Sequence, residues 1–287
     1  VLGLNQAKIE NIDSKVSSFQ NVKFRYLLVW IFIGFISIFV LLRAISGFFG
    51  FTSFTFKYTV STFTYFYVFL LCYRVTQQKS ISFKNLFVLK AKKINWIEVI
   101  GLTILTKVIN ISLLASVLLY IVYYSPQYLS SFASDTNTVE PLTNFFFLAF
   151  QAIVLAPIIE ELFFRGILLQ SWGVRWGVKR AIILSSFTLS VLHFSSQFLD
   201  LFVGSIVLSV LFLKYKSLII PILFHTINNQ IAQLTNFFNR GSSSNESITI
   251  EQAKAAGWVG AILFIVSFCI YVIYLKKSRI KEMSPIE

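Results

Sequence analysis

Long apolar runs separated by short polar stretches, many of them basic, make up nearly all of the chain after its first 25 residues. The first run extends from about Tyr26 to Gly47 and the second from about Tyr58 to Tyr73, across a Phe/Thr/Gly-rich turn holding Arg43 and Lys57. A third, about Ile97 to Tyr124, ends at a Tyr-rich edge and Pro126, and a fourth occupies about Asn144 to Trp172. A fifth covers about Ala181 to Phe198 and a sixth about Leu201 to Leu213. That sixth run makes only about 20 Å of helix, short of a ~30 Å hydrocarbon core, so it reads as half of a tight hairpin. The seventh, about Leu218 to Phe238, carries polar residues, and the eighth covers about Trp258 to Leu275. This pattern predicts an all-α polytopic transmembrane bundle of about eight spans.

Composition supports the same class. Of 287 residues 56% are hydrophobic and 13% charged, with a mean hydropathy of +0.75. A soluble domain carries about 25% charged residues. The net charge of +13 does not suggest nucleic acid, because the basic residues are interleaved between apolar spans and form no single patch. They orient the chain instead. Arg74, Lys79, Lys84, Lys90, Lys92 and Lys93 fall in one acid-free loop, whereas the 125–143 connector has Asp135 and Glu140 and no Lys or Arg. Both termini are therefore expected in the cytoplasm. The chain divides into a cytoplasmic lead-in (1–25), N-terminal transmembrane helices with a basic loop at 74–93 (26–143), a core (144–238), and an external connector, last span and basic tail (239–287). The first residues show no signal-peptide pattern, and an opening Val1 in place of Met points to an altered or processed start. Trp96, Trp172, Trp176 and Trp258 are expected as interface anchors. Cys72 and Cys269 form no CxxC pair and read as small apolar fillers.

The fourth run contains Glu160, Glu161 and Arg165 among otherwise apolar residues. An ionised side chain near a bilayer centre costs roughly 2.5–3.5 kcal/mol on insertion scales, so three on one segment call for a reason other than stability. Glu161 and Arg165 are four apart and share a helix face. Glu160 points about 100° away and is left available for chemistry. Both histidines of the chain, His193 and His225, also lie in apolar runs. Counted from the expected inner ends of their spans, Glu160, His193, His225 and Asn229 all sit roughly 12–18 Å deep. His225 and Asn229 share a face, while Asn228 lies off it and suits a bond between helices. A carboxylate, two imidazoles and an amide at one depth are equipment for peptide hydrolysis. Glu160 would act as general base toward water, His193 would orient water or protonate the leaving amine, and His225 with Asn229 would stabilise an oxyanion.

Glu160-Glu161-x-x-x-Arg165, extended by Phe164 and Gly166, then His193, then His225-x-x-x-Asn229, resemble in order and spacing the three motifs of the CAAX protease and bacteriocin-processing (CPBP, Abi) family. The resemblance covers about Asn144 to Phe238, and the second-motif phenylalanine falls on Leu189, with Phe187 the nearest aromatic. It implies an intramembrane endopeptidase with Glu160, His193, His225 and Asn229 catalytic, Glu161 and Arg165 supporting, no cofactor and no metal. The implied substrate is a membrane-embedded or lipid-associated peptide or protein. Relatives of this kind act on prenylated CAAX tails, or are associated with bacteriocin processing and immunity.

Two alternatives use the same residues. A zinc-dependent protease has a matching ligand count, although the chain lacks an i,i+4 histidine pair and an amide is a poor zinc ligand. A non-catalytic membrane scaffold or immunity-type protein belongs to a different class. A transporter is disfavoured because no inverted repeat is apparent. Lys107 either snorkels to the interface or pairs with a carboxylate. The expected location is an integral membrane position, in a bacterial plasma membrane, with the bilayer and possibly a membrane-protein partner around it.

Overall fold

The computed structural model describes residues 19, 22–79, 81–88, 93–128, 141–193, 198–238 and 249–278. The acidic connector residues Asp135 and Glu140, most of the lead-in, the Ser/Asn-rich stretch 239–248 and the tail after Ser278 lie outside them. Among the described residues the structure is helical and contains no strand. The helices are α1 Phe24–Phe49, α2 Ser53–Gln78, the short α3 Phe83–Phe87, α4 Trp96–Tyr124, α5 Leu142–Trp176, α6 Val178–Leu192, α7 Phe198–Tyr215, α8 Ile219–Phe238 and α9 Ile250–Lys277.

Of the long helices, α1, α4, α5, α7 and α9 are long and apolar enough to cross a membrane. The other three fall short for local reasons. Helix α2 is rich in Thr and Tyr. Helix α6 has 15 residues, about 22 Å. Helix α8 carries His225, Thr226, Asn228 and Asn229. The hairpin expectation for the sixth run changes, because α7 begins at Phe198 and has 18 residues, about 27 Å. Asp200 extends its first turn, where a carboxylate complements the helix dipole. The fifth run ends earlier than its hydropathy suggested, at Leu192.

Helix ends follow from capping chemistry. Thr249 and Gln252 form a reciprocal capping box at α9. The Asn95 side chain accepts from the Glu98 N–H at 3.2 Å at α4. Gly177 separates α5 from α6 with φ of +85°, a value that residues with a Cβ rarely adopt.

The chain forms two compact units, 1–94 with 143–226 and 280–287, and 95–142 with 227–279. In the first, α7 is the most enclosed span. Half of its apolar window is buried, against 11–28% for the other four. Helix α6 packs along it, and α1 packs along α2. Helix α3 is held at the α7–α8 turn, where the Leu218 N–H donates to the Leu86 carbonyl at 2.8 Å. Trp172 is no interface anchor: it is buried and meets Phe24 edge-on, with ring centroids 5.0 Å apart. Trp96, Trp176 and Trp258 are exposed.

The second unit is built on α4 against α9. Between apolar helices in lipid the hydrophobic drive largely disappears, so close backbone approach and polar bonds carry the association. Gly257 faces Leu119, and Gly260 faces Ser112 and Ala115. Near the other end the Tyr274 hydroxyl donates to Glu98 at 2.9 Å. A Cβ at Gly260 would lie 2.6 Å from the Ala115 Cβ and 2.9 Å from the Ser112 carbonyl oxygen. Gly260→Val is therefore expected to destabilise the protein by about 1–3 kcal/mol, read as an earlier thermal unfolding transition in detergent.

Candidate active site

Helix α5 is not uniformly α-helical. The Ala156 N–H donates to the Gln151 carbonyl and the Leu169 N–H to the Phe164 carbonyl, five residues back in each case. Two widened π turns, Gln151–Leu155 and Leu162–Leu168, thus flank a short α-helical piece, Ala156–Glu161, that ends on the two acids. Such turns are frequent at functional sites. Pro157 helps to create the irregularity, because it has no N–H to offer the Ile153 carbonyl in an α-helical register. The Thr226 hydroxyl donates to that carbonyl at 3.0 Å instead. A missing donor in α5 is thereby made good by α8, next to His225.

Glu161 and Arg165 are fully buried. Arg165 Nη1 donates to Glu161 Oε1 at 2.9 Å. Arg165 Nη2 donates to the Ser205 carbonyl at 2.9 Å and to its hydroxyl oxygen at 2.7 Å. Glu161 Oε1 also accepts from His225 Nδ1 at 2.8 Å. One carboxylate therefore binds a guanidinium on its own helix and an imidazole on α8. The contact holds the proton of neutral His225 on Nδ1 and leaves Nε2 as the free ring nitrogen. Glu161 Oε2 and Arg165 Nε are buried without a hydrogen-bond partner, so the cluster is not fully satisfied. An ion pair buried in this way gives fixed geometry at little gain in stability.

Glu160 points elsewhere. Its Oε1 is 3.8 Å from His193 Nε2. His193 directly follows the last residue of α6, at the end of a helix and not within a span. Its Nδ1 donates to the Leu189 carbonyl at 2.9 Å, which directs Nε2 at the acid. Leu189 is buried and Phe187 is half exposed, so leucine takes the core position where the motif has phenylalanine. Glu160 and His193 stand in the wall of a cavity of about 670 Å³. Leu28, Ile31 and Phe32 of α1, Val68 of α2 and Phe163 and Phe164 of α5 supply much of its apolar lining, and Thr64 and Tyr65 of α2 add further polar groups.

The expected residues thus fall into two clusters on adjacent positions of α5. Glu160 and His193 line the cavity, whereas Glu161, Arg165 and His225 form the buried cluster. His225 does not line the cavity; it meets Glu161. Asn229 is one turn beyond His225 on α8, in the stretch assigned to the second unit. Asn228 Oδ1 is buried without a hydrogen-bond partner, so the bond expected of it is not made through that oxygen. Ser205, Thr226 and Tyr65 were not singled out by the sequence. A hydroxyl pair, Ser205 and Ser209, four apart in apolar α7, is the one available signal for the first of these. Among the described residues no group of three or more His, Cys, Asp or Glu side chains is arranged to hold a metal.

Residues 142–231 match the family model described as type II CAAX prenyl endopeptidase Rce1-like. The match runs from the start of α5 through Asn229. No curated protein and no solved structure matches the chain. With five helices long and apolar enough to span a bilayer, this is an integral membrane protein with a CAAX-protease-like region.

Removing one partner of the buried ion pair leaves an uncompensated charge. Arg165→Met is expected to cost about 3–5 kcal/mol, seen as loss of the folded, monodisperse protein in detergent. Glu161→Gln combined with Arg165→Met should recover much of that loss in the same measurement.

Proposed function

We propose that the protein is an intramembrane endopeptidase in which Glu160 activates a water molecule for attack on a peptide carbonyl. The observation that carries this reading is the Glu160–His193 pair, 3.8 Å apart in the wall of an apolar cavity. At that separation both groups can reach one water molecule. Neutral His193, with its Nδ1 proton on the Leu189 carbonyl, presents a bare Nε2, and ionised Glu160 presents a carboxylate oxygen. Both are acceptors. A water donating one hydrogen to each keeps its oxygen lone pair directed away from them, toward an incoming carbonyl.

Attack then moves one water proton to Glu160 as hydroxide adds to the carbonyl carbon. Collapse of the tetrahedral intermediate breaks the C–N bond, and the proton passes to the departing amine from Glu160 or through His193. The products are a carboxylic acid and an amine, with no covalent enzyme intermediate. His225 and Asn229, on one face of α8, supply the charge stabilisation. With Nδ1–H bound to Glu161, His225 can donate through Nε2 only when that nitrogen also carries a proton. Arg165 holds Glu161 in place for that task. Removal of one stabilising donor of this kind costs on the order of 10²–10³-fold in rate elsewhere.

The reaction is proposed to need no metal. Among the described residues the cavity wall offers two ligand-type groups, Glu160 and His193, while Glu161 is already bound to Arg165 and His225. The apolar lining suits a peptide presented from the membrane or carried on a lipid, in keeping with the family description of the matching region.

Glu160→Gln keeps size and hydrogen bonding at a partly exposed position, so folding should be retained. Its kcat is expected to fall by roughly 10²–10⁴-fold, with the thermal unfolding transition unchanged. Comparison of peptide termini in membranes holding wild type or this variant should show termini that vanish with the acid. Equal termini and an intact phenotype would indicate a scaffold. Stoichiometric zinc in the purified protein, with activity abolished by chelation, would replace the metal-free mechanism.

A further inference from the structure

A second cavity, of about 510 Å³, lies between α1 and α2 where the N-terminal end of one meets the C-terminal end of the other. Among the described residues it shares none of its lining with the Glu160 cavity. Among the described residues three ionised side chains line it, Lys23, Arg74 and Lys79, and no carboxylate does. Leu27 of α1 and Leu71 of α2 give it an apolar floor. The helices are joined there by the Tyr67 hydroxyl, which donates to the Trp30 carbonyl at 3.0 Å.

The rim carries a second sign of excess positive charge. Lys23 Nζ lies 5.8 Å and Arg25 Cζ 5.0 Å from the centroid of the Tyr26 ring. Two cations share one aromatic ring, which attracts each of them but does nothing for their mutual repulsion. An anion in the groove would neutralise both these charges and those of Arg74 and Lys79. The position of the groove narrows its chemistry further. Cations grouped at the end of a membrane helix face the headgroup level of a bilayer, and the apolar floor continues from them along the helices.

We propose that this groove binds an anionic phospholipid, with Lys23, Arg74 and Lys79 around the phosphate and an acyl chain along Leu27 and Leu71. A small free anion would use the cations and leave the floor unused. A zwitterionic lipid would use the floor but bring a cation of its own among the three. The anionic amphiphile matches both halves of the site. This inference does not depend on proteolysis, and its test does not measure activity.

Protein reconstituted from vesicles of equal parts phosphatidylcholine and phosphatidylglycerol is released into the gas phase, and retained lipids are counted by native mass spectrometry. Wild type is expected to retain phosphatidylglycerol over phosphatidylcholine by at least ~10-fold. The Lys23→Gln, Arg74→Gln, Lys79→Gln triple variant should lose that preference, while Lys276→Gln with Lys277→Gln keeps it. Arg74→Gln alone, at an exposed position, should lower it several-fold in a folded protein. An unchanged preference in the triple and single variants overturns the proposal. So does displacement of the retained lipid by millimolar inorganic phosphate, which would mark a site for free anions.

Discussion

A carboxylate with no exposed surface has to be neutralised by the protein that encloses it, and Glu161 imposes this condition on everything near it. Arg165 supplies the opposite charge from the next turn, and Ser205 of α7 takes up the guanidinium edge that Glu161 does not use. His225 adds a second donor to the acid from α8. Three helices therefore converge on this cluster, α5 and α8 through donors to the acid and α7 through the guanidinium. Little of this adds net stability, since desolvation of two ions consumes most of the Coulombic gain. What it supplies is a fixed position for the backbone of α5, and the neighbouring residue on that backbone is Glu160.

Adjacent positions on a helix diverge by about 100°, and this divergence separates the two acids into different surroundings. Glu161 is enclosed among donors, while Glu160 emerges in the wall of an apolar cavity opposite an imidazole whose orientation is fixed by a backbone carbonyl. The general base proposed at Glu160 needs an open side and a defined direction at once. The enclosed acid provides direction and the open one provides access, so a pair of identical residues yields two roles without any difference in side-chain chemistry.

Much of the architecture is written in periodicity, and the reasons for the remainder are specific. The Glu161–Arg165 contact follows from i,i+4 spacing, and apolar runs locate the long helices, though the last begins at Ile250, well before the run that starts at Trp258. His193 was expected inside a span because Phe194 continues the apolar run after it, yet the described helix stops at Leu192. Hydropathy counts side chains and does not register where backbone hydrogen bonding ends. The face shared by His225 and Asn229 is likewise legible, but a helix face does not state which neighbour it meets, and His225 meets Glu161. The π turns could not be anticipated, since bonds five residues back compete closely with ordinary helix until tertiary contacts decide. Ser205 reads as a small packing residue in an apolar run until Arg165 is brought beside it. Trp172 shows the same limit in reverse: an aromatic at a span end is an anchor by statistics and a core residue by its contact with Phe24.

The bond from Thr226 to the Ile153 carbonyl has a consequence for assembly. Helix α5 is synthesised some seventy residues before the hydroxyl that completes its hydrogen bonding at Pro157, and α7 and α8 follow it out of the ribosome. Until α8 docks, the segment that presents the acids lacks both that bond and the imidazole on Glu161. Alignment of the two acids is thereby tied to synthesis of α8, and a nascent product that ends before it holds both acids without that alignment.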